Sequence, residues 1–474
     1  MSRVLVCLSL TFASAVFALD GPTIETAARA VTAAGAYAGV ERLTAPDFAG
    51  RLTGTPGFDA AARWAAEQFR VAGLEPPVEH PDFLQRFPVT LTRIDSALME
   101  WVEEGSPSQE LKRGTDYMPL LFSGSGEVTA EVVFVGYGIT ALDMGRDDYA
   151  GLDVRGKVVM TVRGAPQDGR DWTAHDSHRA RSANAKAHGA TGFLFAESAI
   201  ANPNGVPVAD LPMAGISAEF ADRLLAPRKV ALEELRRVLS LGGVASVATG
   251  RKVRLAVTAR APWQSEGANV IAVLPGRDPA HAGRYVLVGA HLDHCGDWPE
   301  LLPGADDNAS GSATVLEIAR AAARLQPRPR RAVVFVLFGG EESGLLGSRR
   351  YAAGLPASIG RPVAAYNLDM VGAGNGAFVS GGMNFPELFA ALESARDRRQ
   401  PGMGLKAGRS SGEPRADHGP FQAAGIPAVS LFGSGGTHRG YHTGDDTLWW
   451  ITPKTMEAIG RVVLDAAVTL ADAP

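Results

Sequence analysis

The sequence predicts an α/β protein: a mostly parallel-centred, mixed sheet flanked by helices and interrupted by a smaller β-rich unit. Three observations predict it. From Asn269 onward, short runs of continuous apolar residues alternate with helix-periodic stretches, the pattern of strands buried on both faces. Between about residues 112 and 260 the apolar spacing changes to a period of two, as in half-buried strands. The chain of 474 residues, 46% hydrophobic and 20% charged, has a globular composition and the length of roughly three domain-sized units.

The first element is a leader. Met1-Ser2-Arg3 precedes an apolar stretch from Val4 to Phe17, and the pattern predicts a signal peptide cut after Ala18, hence an exported protein, periplasmic or secreted. The stretch is shorter than the about 20 apolar residues a membrane span needs, and no later segment reaches that length. Cys7 leaves with the leader, so Cys295 stands alone and no internal disulfide is expected.

Residues 19–111 form the first part of the main body. Thr23 to Leu74 is helix-periodic, with Ala60, Ala61, Trp64, Ala65, Phe69 and Ala72 on one face and Gly73 as a stop. The loop from Gly50-Arg51 to Gly57 is turn chemistry, and Pro76 to Met99 reads as a strand region. Residues 112–260 are the insert, with strands at Ala130 to Val135, Lys157 to Val162, Gly192 to Phe195 and Lys252 to Thr258, and one helix at Ser177 to His188. Residues 261–474 complete the main body. Its strands are Val270 to Leu274, Tyr285 to Gly289, Ala332 to Phe338, Val363 to Leu368 and Ala428 to Phe432. Helices separate them, notably Ala309 to Leu325 and Pro453 to Leu470, the latter with Thr452 as N-cap.

The 46 basic and 51 acidic residues give a net charge of −5, too mild to define a partner. A nucleic-acid binder needs a basic stripe. The densest basic cluster, Arg328, Arg330 and Arg331, alternates with proline and reads as a solvated turn.

Ligands in such sheets bind beyond the carboxyl ends of the strands. There the sequence places His291 and Asp293, then Asp306-Asp307, Glu341-Glu342, Asp369 and His442. A crevice that gathers these groups repels itself without cations. Two divalent ions held by His291, Asp306, Glu342, Asp369 and His442, one carboxylate bridging, resolve that repulsion. Mixed nitrogen and oxygen ligation suits zinc, with manganese or cobalt as substitutes. Asp293 is spaced to accept the second ring N–H of His291.

These motifs resemble peptidase family M28, the co-catalytic dizinc aminopeptidases. They are His291-Leu292-Asp293, Gly304 to Gly311, Glu341-Glu342-Ser343-Gly344, Asn367-Leu368-Asp369-Met370 and Tyr441-His442-Thr443. The stretches Val132 to Gly138, Gly156 to Val159 and Ala187 to Gly192 resemble the protease-associated (PA) domain that some members carry. The resemblance implies a phosphorylase/hydrolase-like zinc exopeptidase fold. It implies that Asp306 bridges two zincs, His291 and Asp369 complete one, and Glu342 and His442 complete the other. It also implies Glu341 as general base toward a dizinc-bridged water, a cis peptide at Asp306-Asp307, and removal of N-terminal residues, bulky apolar ones by preference, from peptides. Two other activities remain open: a carboxypeptidase acting on acidic C-terminal residues, for which Arg409 and Arg415 are the candidate basic groups, and glutaminyl cyclase. One motif departs from the family: Ala416-Asp417-His418 has alanine where serine is usual.

Weaker patterns read as structure. Gly136-Tyr137-Gly138 lacks the following helix of a dinucleotide site, and Gly408-Arg409-Ser410-Ser411-Gly412 lacks the preceding strand of a nucleophile elbow. His294 and Cys295 are expected to be bystanders, Trp298 either pocket wall or core, and Trp449 and Trp450 core.

Overall fold

The computed structural model describes residues 19–203, 208–298, 300–410, 416–434 and 440–474. The expected signal peptide and Arg415 lie outside the described residues.

Helices α1 (Gly21–Arg29), α2 (Ala33–Leu43) and α3 (Pro56–Val71) open the chain. Each starts at a capping side chain: Asp20, Thr32 and Thr55 accept from Thr23, Gly35 and Phe58 N–H, which satisfies a first-turn donor that has no intrahelical partner. α3 buries Phe58, Ala61, Ala65 and Phe69 on one face, and Gly73, at φ 83°, ends it in the left-handed conformation.

Strand β1 (Leu84–Val102) leads out into the insert. There follow β2 (Gln109–Glu110), β3 (Tyr117–Pro119), β4 (Gly126–Val135), β5 (Thr140–Ala141), β6 (Arg146–Asp147), β7 (Val158–Thr161), α4 (His178–Ala187), β8 (Gly192–Glu197), β9 (Met213–Ser217), α5 (Ala218–Leu225) and α6 (Leu232–Ser240). The long β10 (Ser246–Leu274) returns, antiparallel to β1 from Val102↔Lys252 to Leu84↔Val270. The boundary expected at residue 260 therefore falls inside one continuous strand. Composition changes there because the strand's neighbours change, while the backbone runs straight through. Helices α5 and α6 are additions to the insert that strand periodicity did not disclose.

The main body continues with β11 (Arg284–His291), α7 (Gly311–Ala322), β12 (Ala332–Phe338), α8 (Leu346–Ala353), β13 (Arg361–Asp369), β14 (Gly376–Ser380), α9 (Pro386–Arg399), β15 (Gly404–Ala407), α10 (His418–Ala423), β16 (Ala428–Ser434) and α11 (Pro453–Asp472). β11 lies parallel between β12 and β13, and β13 pairs parallel with β16. β10 and β14 flank this parallel centre antiparallel, so the sheet is mixed. Both faces are buried. Val286, Val288 and Ala290 of β11 join the core with α3, α7 and α11, while Tyr285 and Leu287 pack on the other side with Tyr351 and Phe421. That two-sided burial is why the strands read as unbroken apolar runs.

Two local expectations differ. Thr452 precedes α11 in the N-cap position but makes no side-chain cap bond. Trp449 is 87% exposed on a short turn, while the neighbouring Trp450 donates its indole N–H to Asp445 O at 2.9 Å.

Candidate metal centre

Four parallel strands, β11, β12, β13 and β16, point their carboxyl ends at one crevice. His291 ends β11 and Asp369 ends β13, while Glu341 and Glu342 follow β12 and His442 follows β16. The remaining acid comes from the segment Ala305–Ser310, which enters α7.

Asp307, not Asp306, occupies the centre. Its Oδ1 lies 3.2 Å from His291 Nε2 and its Oδ2 lies 3.1 Å from His442 Nε2. Asp306 turns the other way, where its Oδ1 accepts from Gly372 N–H at 2.7 Å and Ser310 Oγ at 3.0 Å. The expected bridging role thus has no geometric basis at Asp306. The cis peptide also lies one residue later than expected, at Asp307-Asn308. Asp446 fixes this segment, accepting from Asp306 N–H at 2.9 Å and Asp307 N–H at 3.0 Å.

Around Asp307, Asp369 Oδ1 lies 3.5 Å from His291 Nε2, and Glu342 Oε2 lies 3.0 Å from His442 Nε2. His291, Asp307 and Asp369 offer donor atoms within 4.8 Å of one another, and so do His294, Cys295, Glu342 and His442. His294, expected to be a bystander, donates through Nδ1 to Glu342 Oε1 at 2.9 Å and so aims the other carboxylate oxygen at His442. Cys295 is buried, and burial pushes its thiol well above its usual range.

Asp293 is close to its expected place. The main-chain carbonyl of Asp293 is the nearer partner of His291 Nδ1, at 3.2 Å, and its carboxylate Oδ1 lies at 3.8 Å. That same Oδ1 accepts from Glu341 N–H at 3.2 Å. Burial pushes the Asp293 carboxyl up to about 7. Glu341 keeps part of its surface open, and burial together with Glu342, Asp417 and Asp369 raises its carboxyl well above the usual range against the pull of His291. Burial acts on Asp307 too, but His291 and His442 outweigh it and hold its carboxyl well below the usual range.

The ring orientations test whether cations fit here. Both histidines present Nδ1 to a backbone carbonyl, Asp293 O at 3.2 Å and Ala201 O at 2.7 Å. A carbonyl only accepts, which assigns the neutral-ring proton to Nδ1 in each case. Each Nε2 then turns a lone pair toward carboxylate oxygens. A cation is therefore needed between them: in the metal-free site a second ring proton, through which His291 and His442 hold the Asp307 carboxyl down, and in the loaded site a metal ion at the same place. The imidazole and carboxylate donors fit zinc, manganese or cobalt.

Arg51 holds the frame. Its side chain is fully buried and donates to Leu292 O at 2.9 Å, Leu43 O at 2.6 Å, Pro303 O at 2.8 Å and Gly304 O at 2.9 Å. Beside it Gly50 has φ 63°, and a Cβ there would fall 2.0 Å from Gly296 O, so the loop admits only glycine. Charged donors to buried acceptors contribute about 1.5–3 kcal/mol each, and they are not additive. Arg51→Met is expected to cost about 3–5 kcal/mol of stability, read by urea unfolding of the metal-free protein; a loss below about 1 kcal/mol would contradict this role.

Residues 269–467 match the model of peptidase family M28, and residues 128–224 match that of the PA domain. Over residues 269–467 the chain is similar to peptidase family M28. The residues that match the PA domain lie between β1 and β10, ahead of the M28 match. Leupeptin-inactivating enzyme 1 of Streptomyces exfoliatus is 33% identical over 225 residues, 43% of this chain. The chain spans 48% of that relative's length, about half. A peptidase M28 precursor from Shewanella amazonensis SB2B superposes with a TM-score of 0.70 at 22% identity, covering 95% of this chain and 96% of that one. BSAP, a zinc aminopeptidase from Bacillus subtilis, superposes at 0.62 and 22% identity over 94% of this chain and 96% of its own. At these identities the two structures show the shared fold.

Proposed function

We propose that this chain is an exported, zinc-dependent aminopeptidase that removes N-terminal residues, preferably bulky apolar ones, from peptides. One observation carries the reading: the crevice is walled by carboxylates and imidazoles, and Arg51, the guanidinium beside it, is spent on backbone carbonyls. Such a wall attracts a free α-ammonium and repels a C-terminal carboxylate. It therefore argues against the acidic carboxypeptidase, and Arg409, the described candidate for that activity, is exposed. The zinc aminopeptidase of the same fold, BSAP, supports zinc as the metal.

In this proposal His291 and Asp369 would hold one zinc, Glu342 and His442 would hold the other, and Asp307, in place of Asp306, would be the carboxylate shared between them. When bound, the two cations supply Lewis acidity to the scissile carbonyl and acidify a nearby water. Glu341 takes a proton from the attacking water at its carboxylate and returns it to the departing amine. Asp293 orients that base through the Glu341 N–H and sits beside the His291 ring. A cavity of about 330 Å³ lined by Leu52, Leu91, Ile94, Leu121, Trp263 and Trp298 reaches Cys295 on the flank of the crevice and supports a preference for apolar side chains. Among the described residues no helix is long and apolar enough to cross a membrane.

The deciding assay is hydrolysis of leucyl arylamide against its N-acetylated form, with and without a zinc chelator. Only the free form is expected to be cleaved, and only without chelator. Equal cleavage of both forms would remove the aminopeptidase reading.

A further inference from the structure

We infer that the inserted PA domain is a working part of the metal centre: through the backbone of Ala201 it sets the tautomer and aim of His442, and with them the affinity of one of two cation positions. This rests on the proposed role of His442 as a ligand.

The contact is reciprocal. His442 Nδ1–H donates to Ala201 O at 2.7 Å, and Ala201 N–H donates to His442 O at 2.9 Å. One bond fixes the ring and the other fixes the backbone that carries it, which sits at φ 53°. The ring is further confined by Tyr441, stacked at 3.9 Å between centroids, and by His294, edge-on at 5.3 Å.

Ala201 is not a mobile loop tip. It is fully buried in the insert's own apolar cluster with Leu121, Trp172 and Leu194. Its neighbour Asn202 accepts from Leu121 N–H at 3.0 Å. The same cluster takes in Cys295 and Leu302 from the loop that follows His291. The insert's core therefore anchors loops on both sides of the centre.

The two histidines differ in this respect. His291 finds its Nδ1 acceptor two residues along its own loop, at Asp293 O. His442 takes its acceptor from a residue 241 positions away, in the other unit. Such outer hydrogen bonds typically change metal affinity by roughly 10–100-fold. A disturbed insert should then weaken the position shared by Glu342 and His442 and spare the one shared by His291 and Asp369.

The test is zinc binding by the full-length chain, measured in competition with a chromogenic chelator. Wild type is expected to bind two equivalents. Ala201→Pro removes the N–H that His442 O accepts; one equivalent should weaken about 10-fold or more and the other should hold. Ala201→Gly keeps both backbone groups and should behave as wild type. If Ala201→Pro does not fold, ¹⁵N-histidine NMR of the unmodified zinc-loaded chain decides, and a His442 ring protonated at Nδ1 with slow proton exchange is expected. Unchanged affinities, equal weakening of both positions, or a His442 Nδ1 without a proton would overturn the inference while the metal reading stands. Wild-type protein that takes up no zinc would overturn the metal reading and this inference together.

Discussion

Glu341→Gln is expected to lower kcat for leucyl arylamide by about 100- to 10,000-fold, the range a positioned general base contributes, with zinc content unchanged. The side chain differs from its neighbours in what it touches. Glu342 is nearly fully buried and committed to His294 and His442, whereas Glu341 retains an open face within reach of His291. Its main chain is tied to Asp293, so the substitution leaves the backbone anchor intact. Glutamine preserves length and shape but cannot take a proton. KM should move little, because the acids that attract the α-ammonium remain. The measurement is steady-state kinetics beside elemental analysis of the same sample; a variant with near-normal kcat would rule out Glu341 as the base.

The second large effect separates two adjacent aspartates. Asp307→Ala is expected to release zinc and abolish hydrolysis, because its two oxygens face His291 and His442 respectively. Asp306→Ala should instead retain zinc and lose about 1–3 kcal/mol of stability, since it strands the buried Gly372 N–H while Ser310 keeps its bond to the main-chain Asp306 O. Zinc content and thermal unfolding on both variants give opposite patterns for the two residues. Retained zinc in Asp307→Ala, with loss in Asp306→Ala, would return the bridging role to Asp306.

That pair also marks how far the sequence is legible. Strand positions and two-sided burial follow from apolar periodicity, the gathering of acids follows from their places just after those strands, and the structure contains all three. Which of two consecutive aspartates faces inward does not follow, because it depends on the backbone between Gly304 and Gly311 and on an anchor, Asp446, far along the chain. His294 was hidden for a related reason. Three residues past His291 on an irregular loop, its direction is set by Glu342 across the crevice rather than by a helical or strand period. Trp449 is exposed where core is expected, because a large apolar residue on a surface turn need not be buried.

The β1–β10 ribbon has an evolutionary consequence. The chain leaves the main body and re-enters it side by side, Val102 opposite Lys252, so a short turn at that level would close the ribbon without disturbing the main sheet. Insertions with adjacent ends are the kind that proteins gain and lose readily. Here the topology leaves the module easy to excise, while the bond from His442 to Ala201 makes its loss consequential. A lineage that discarded it would have to supply a new acceptor for that ring from within the main body.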